Sequence, residues 1–302
     1  MKILYYSDNY TWDNYGTKRS IYLELKKRPG FKVKWVDRSE VGNIVKKATS
    51  YKADQIWLSH SALTIPQEHK NALNKEGMKI IGIGMSDPYY FKTDRLDSYN
   101  AYITNHIGTY ETYKSAIPCH YNRTACDFQF HKYERSIQRD VPVSIIGTAE
   151  HPRFENKMER FDIVVLLRNK GVKVAAYGTG WPEHQDNHGH VEGKKFRKII
   201  QRTMLGLDIQ DKDSPLAHRM FEYSGCAVPV ITRRRDEVFS CFEENSEILM
   251  YDSHEELLDK VSYYISRPAE LEKIGLKAYE RCKKEHDIKN RIDDMIPFIN
   301  SL

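Results

Sequence analysis

The sequence holds no apolar stretch near the ~20 residues a membrane-spanning helix needs, and its start lacks the charged-then-apolar pattern of a secretion signal. Cysteine is scarce. The five present (Cys119, Cys126, Cys226, Cys241 and Cys282) form no CxxC pair, and their odd number without a secretion signal points to reduced thiols in a cytoplasm. Neither sign of charge dominates: 47 Lys and Arg stand against 42 Asp and Glu, and the net charge of +5 permits a phosphate-rich partner without requiring one. Low-complexity segments and strong internal repeats are also missing. What remains is a globular composition, 40% hydrophobic and 29% charged, whose 302 residues suit two domains or one large one. Tyrosine is the abundant residue, with 20 copies, enough for half-buried packing and for lining a carbohydrate or base cleft.

Short apolar runs alternate with helical patterns along the chain. Met1 to Ser7 reads as a buried strand, Asp8 to Thr17 as a polar loop carrying Gly16, and Lys18 to Lys27 as a helix. Further strands are read at 30–36, 53–59, 78–83 and 102–105. Such alternation predicts a mostly parallel sheet whose ligands sit at the strands' carboxyl ends. Residues 122–140 are polar, charged and irregular, and read as a linker. A second alternation follows: strand 141–147, a helix from about Arg153 to Lys170, strand 172–177, the sharp loop Gly178-Thr-Gly-Trp181, a basic helix Lys194 to Arg202, and strand 205–209. Strand 247–251, a helix over 253–266 and further helices close the chain.

Residues 214–232 organise the second half. Ser214 is a favourable N-cap and Pro215 suits a first helical position. Leu216, Met220, Phe221 and Ser224 recur at helical spacing, Gly225 fits the position after a helix end, and Cys226 to Thr232 reads as a buried strand kinked at Pro229. The spacing therefore predicts a helix from Pro215 that carries His218, Arg219 and Glu222. Its N-terminus favours an anion, because the first N–H groups are unpaired and the dipole is positive there. Glu222 then lies ~10 Å further along, at ~1.5 Å rise per residue, roughly the span from a diphosphate to a ribose. A capped helix with a solvated Arg and Glu is the plainer account of the same residues.

The ordered set Ile-Gly147, Arg153, Tyr177-Gly-Thr-Gly-Trp181, Met-Phe-Glu222-Tyr-Ser-Gly225, Glu237-Val-Phe239 and Glu256-Glu-Leu-Leu-Asp-Lys-Val-Ser-Tyr-Tyr264 resembles the C-terminal domain of GT-B glycosyltransferases. It is most similar to the CgeB-like, spore-maturation family, over roughly 141–290. The first half resembles the family more loosely, through Asp87-Pro88, Tyr102-Ile-Thr-Asn105 and Asp127. Ser214 stands where many relatives place a second Glu. The resemblance implies an α/β fold of two Rossmann-like domains facing across a cleft. The acceptor-side domain would span 1–135, the nucleotide-sugar domain 136–285, and a last helix, 286–302, would cross back to the first. It also implies sugar transfer from a nucleotide-sugar, with a UDP-sugar such as UDP-glucose the commonest donor type, with retention, and with no resident cofactor.

Such a transfer develops negative charge on the departing diphosphate, so fixed positive groups must meet it. The start of the helix at Pro215, with His218, Arg219 and Arg153, is the candidate set; Arg suits a bidentate phosphate contact. Glu222 is assigned the ribose hydroxyls, since a carboxylate accepts from both. Gly147 and Gly178 follow strand ends, where a missing Cβ lets a ligand approach. Tyr177 and Trp181 are candidates to stack on the base, and Gly16, near Lys18, would face the diphosphate from the first domain. The acceptor hydroxyl needs a base, or a substrate phosphate oxygen in its place. Asp87, at a strand's carboxyl end, is the candidate, with Asp8 and Asp13 behind it.

No metal is expected: Asp211-Lys-Asp213 has a common spacing, and His184, His188 and His190 share one polar loop. The basic runs Lys194-Lys195-Phe-Arg197-Lys198 and Arg233-Arg234-Arg235 suit phosphates, and a short basic chain of this kind is somewhat similar to phage enzymes that glucosylate hydroxymethylated pyrimidines in DNA. The acceptor is therefore read as DNA or a glycan. A non-catalytic nucleotide-binding protein on the same fold is the remaining alternative.

Overall fold

A computed structural model describes residues 1–8, 16–59, 63–85, 87, 93–151, 155–211 and 214–302. The chain divides into two compact units, Met1–Thr124 with Ile288–Leu302, and Ala125–Asp287. The stretch read as a linker thus ends its first-unit part at Thr124; 125–140 belong to the second unit.

The first unit is built on a six-stranded parallel sheet. Its strands are β1 (Lys2–Ser7), β2 (Lys32–Asp37), β3 (Gln55–Leu58), β4 (Lys79–Gly84), β5 (Ala101–Thr104) and β6 (Cys119–Tyr121), in the spatial order β2-β1-β3-β4-β5-β6. Runs such as Ile3-Leu4-Tyr5-Tyr6 are buried throughout, as strands covered on both faces must be. Between the strands lie α1 (Thr17–Lys27), α2 (Ile44–Tyr51), α3 (Gln67–Lys75) and α4 (Ile107–Tyr113). A last helix, α11 (Ile288–Asn300), completes this unit. Arg28 pairs with Asp293 at 2.9 Å, Gln55 Nε2 donates to Ile299 O at 2.7 Å, and Met295 and Ile299 are buried.

The second unit carries a five-stranded parallel sheet of β7 (Val141–Ile146), β8 (Val174–Tyr177), β9 (Thr203–Asp208), β10 (Val230–Arg233) and β11 (Leu249–Tyr251), ordered β11-β10-β9-β7-β8. Its helices are α5 (Glu159–Asn169), α6 (Gly193–Arg202), α7 (His218–Gly225), α8 (Asp236–Phe239), α9 (His254–Ile265) and α10 (Pro268–Glu285). Helix α6 buries Phe196, Ile199 and Ile200 on one stripe and leaves Lys194, Lys195 and Lys198 outside it, an amphipathic pattern that fixes which way it faces. The Ser253 side chain caps α9 by accepting from Glu256 N.

The topology places the site. The chain leaves β7 towards β8 and leaves β9 towards β10, in opposite directions, so the loops after β7 and β9 part above the sheet. Such a switch point is where open parallel sheets bind ligands. In the first unit the equivalent point lies between β1 and β3, where Tyr5 Oη and Ser59 Oγ are 2.7 Å apart.

Candidate functional site

The helix read from Pro215 begins three residues later. Its first helical residue is His218, Ala217 is still extended (φ −68°, ψ 138°), and no side chain caps it. Two tertiary contacts override the Ser-Pro signal. Leu216 is buried, and Arg235 Nη1 donates to Ser214 O at 2.6 Å and to Asp211 O at 3.3 Å, which keeps the approach stretched. The first turn of the helix is therefore the one from His218, not Pro215 to Ala217. Glu222 stands about one turn from that start, not two. Gly225 is the last helical residue rather than the one beyond it, and Ala227 takes the left-handed conformation (φ 56°). The glycine serves close approach: a Cβ there would sit 2.1 Å from Cys126 Sγ. The strand that follows starts at Val230, after Pro229.

Arg219 is the centre of the site. Its Nε donates to Ile146 O, at the end of β7, at 3.0 Å, and its Nη1 donates to Glu222 Oε2. Three of its five N–H donors have no acceptor among the described residues, and the side chain is 28% exposed. Glu222 is 5% exposed overall, with one oxygen held by Arg219 and the other without a donor among the described residues. The pair thus presents spare donors and a spare acceptor together at the switch point. The plainer account, a capped helix with a solvated Arg and Glu, does not hold: no side chain caps the helix, and Glu222 is buried in an ion pair with Arg219.

Two further arginines join Arg219: Arg160, which the sequence reading left out, and Arg235, read only as part of a basic run. Arg160, on α5, donates from Nε to Ile209 O at 3.2 Å and from Nη1 to Thr148 O at 3.4 Å. A Cβ on Gly147 would meet Arg160 Nη1 at 3.0 Å. Arg235 holds the Ser214 carbonyl, as above. All three sit around Asp208, whose carboxyl is pushed up by burial, against the opposing pull of Gln210 and the three guanidinium groups. Gln210 Nε2 donates to Asp208 Oδ1 at 3.0 Å. Nothing in a sequence pattern links positions 160, 219 and 235; only the topology does.

Gly147 and Gly178 lie back to back. Gly178 has φ +135°, and a Cβ on it would fall 2.1 Å from Gly147 O. The Trp181 indole donates to the same Gly147 oxygen at 2.8 Å and packs against the core, so its ring ties the two loops together. Tyr177 stacks on His188 with ring centroids 4.8 Å apart. Both aromatics read as base-stacking candidates therefore already have partners within the protein. His218 opens α7, half-buried. Arg153 and Asp13 lie outside the described residues.

Among the described residues no group of three His, Cys, Asp or Glu side chains is arranged to hold a metal. Asp211, from the spacing noted above, accepts from Glu155 N at 2.7 Å; Asp213 lies outside the described residues. Two of the three arginines in the run read as a phosphate contact are matched internally. Arg233 pairs with Glu159 at 2.8 Å, and Arg234 binds Glu244, Asp252 and Glu256.

In the first unit, Asp87 is 0% exposed, and its carboxylate accepts from Thr104 Oγ1 at 2.8 Å and Tyr102 Oη at 3.2 Å. As it stands the carboxylate has no surface to offer an acceptor hydroxyl. Asp8 is also buried, between Lys18 at 2.5 Å and Arg38 at 2.6 Å, and burial lowers the Lys18 pKa against the pull of Asp8. Gly16 is the extended residue before α1, and its carbonyl accepts from Ser20 N at 3.0 Å.

Comparison with known proteins bears on this arrangement. Residues 160–297 match the family described as "Glycosyl transferase-like". No curated protein matches the chain by sequence. Solved structures share its fold over the whole length. HepE of Anabaena, crystallised with UDP-glucose, is 13% identical, with 100% of each chain covered and a TM-score of 0.67. A glycosyltransferase of Rickettsia africae is 9% identical, covering 99% of this chain and 98% of its own, with a TM-score of 0.68. Sucrose-phosphate synthase of Thermosynechococcus elongatus is 11% identical, covering 100% and 98%, with a TM-score of 0.64. No helix among the described residues is long and apolar enough to cross a membrane. Residues 160–297 thus match a glycosyl transferase-like family model, on a chain whose fold is that of the GT-B glycosyltransferases.

Proposed function

We propose that the chain is an active, UDP-sugar-dependent glycosyltransferase whose donor lies at the carboxyl ends of β7 and β9. One observation carries the reading: at that switch point, Arg219 keeps three unused donors beside a nearly buried Glu222 with one unused oxygen. A diphosphate takes the arginine donors and a ribose hydroxyl gives to the carboxylate, so one small site answers both ends of a nucleoside diphosphate. Arg160 and Arg235 add positive charge where the leaving group gains negative charge. The UDP, and UDP with glucose, bound in crystals of the similarly folded HepE support the choice of uridine nucleotide.

Proton removal from the acceptor is assigned to a phosphate oxygen of the donor itself rather than to Asp87, because the carboxylate of Asp87 is enclosed by Thr104 and Tyr102. That assignment suits a reaction with retention. Among acceptors, a glycan hydroxyl is favoured over hydroxymethylated DNA, since the carboxylates around Arg233 and Arg234 leave that run little charge for phosphates. The five free thiols, four of them buried, agree with a reducing cytoplasm.

The test is thermal. UDP and UDP-glucose at a hundredfold excess over Kd raise the melting temperature by an amount worth about 2.7 kcal/mol, and Glu222→Ala removes the shift. Slow release of UDP from UDP-glucose into water separates an enzyme from a mere binder. No shift with any nucleotide sugar would overturn the reading.

A further inference from the structure

We infer that Phe196, on α6, is the platform that holds the Arg219 guanidinium in place for the diphosphate, a positioning role for a residue outside every motif that marked the donor site; the inference rests on the donor-site reading above. The Arg219 Cζ lies 4.5 Å from the centroid of the Phe196 ring, over its face. The two hydrogen bonds of Arg219, to Ile146 O and Glu222 Oε2, both lie at the guanidinium edge. Edge contacts fix where the group sits but leave it free to tilt about the line joining them. A ring against one flat face removes that freedom, and it does so without consuming a donor.

The ring is itself held. Phe196 is buried, and His131 meets it edge-on at 6.4 Å with an interplanar angle of 79°. Phe130 meets His131 edge-on in turn, at 5.1 Å and 84°. Burial lowers the His131 pKa to about 4, so at neutral pH this imidazole packs as an uncharged ring and does not compete with Arg219 for Glu222. The guanidinium is thus fixed from three elements: a β7 carbonyl, an α7 carboxylate and an α6 ring. Phe196 is the buried aromatic inside the basic run of α6.

The test compares UDP with uridine by calorimetry on the full chain, for the wild type, Phe196→Leu and Phe196→Tyr. Uridine lacks the diphosphate, so a platform for Arg219 is felt by UDP alone. Phe196→Leu is expected to weaken UDP about five- to thirtyfold while uridine affinity stays within about twofold, and Phe196→Tyr, which keeps the ring face, to restore UDP to within about threefold. If the leucine variant does not fold, Phe196→Met, closer in length and equally without a ring, makes the same comparison. UDP affinity unchanged in the ringless variant would overturn the platform role, as would equal losses for UDP and uridine, the mark of general packing. If the wild type binds neither ligand, the donor-site reading falls first and takes this one with it.

Discussion

At the scale of single residues, the site is made by side chains that keep part of their bonding capacity unspent. Arg219 and Glu222 each satisfy the other with one contact, which removes the cost of a lone buried charge and still leaves groups for a ligand. His131 behaves in the opposite way: it is buried so completely that its charged form is excluded. Its imidazole titrates near 4 in the folded chain and near 6.5 when unfolded, so between those values the unfolded chain binds more protons. Stability conferred by this residue is therefore full above about pH 6.5 and falls by up to roughly 3 kcal/mol as the pH drops to about 4. The urea midpoint of the wild type should fall more steeply over that range than that of His131→Phe. Parallel curves would mean that His131 does not stay neutral. Of these residues, Arg219 and Glu222 were legible in sequence because they follow a helix-start signal and lie just before a strand. Arg160 and Phe196 were not, since each reaches the site from a different element and carries no local mark; Arg235 was legible only as part of a basic run.

Among the elements, α7 shows how far local rules carry. Ser214, Pro215 and Gly225 form a textual start and stop for a helix, and the helix does end at Gly225. Its start moved because Leu216 gains more by burial than the backbone gains from one more turn, and because Arg235 holds the approach by its carbonyls. Most strands with apolar runs were read to within a residue or two. The exceptions are β10, which starts at Val230 rather than Cys226, and β6, Cys-His-Tyr, three half-buried residues with no apolar run to announce them. The loops after β7 and β8 bring a sharper expectation. Gly178→Ala adds a Cβ against the Gly147 oxygen at a positive φ that alanine resists. It should lower stability by at least about 2 kcal/mol in chemical denaturation, where a surface Gly→Ala change would be neutral or stabilising. The same loops hold the Trp181 tie, so UDP binding should weaken with it.

Across the whole molecule, each unit has its own core. Val143, Ile145, Leu205, Leu207 and Ile231 belong to one cluster, and Leu4, Tyr6, Ile56, Leu58 and Ile80 to the other. Arg160, Arg219, Glu222 and Arg235 all lie in Ala125–Asp287, a length typical of an independent domain. Residues 125–287 expressed alone should therefore fold cooperatively and keep UDP affinity to within about tenfold, checked by circular dichroism and calorimetry. An unfolded fragment would show that this core needs the rest of the chain. Helix α11 has one more effect, on the order of events at the ribosome. The six strands of the first unit emerge early, but the helix that packs against Arg28, Gln55 and Asn122 is made only after all of Ala125–Asp287. The half that starts first must finish last, waiting with an open flank while its neighbour is synthesised.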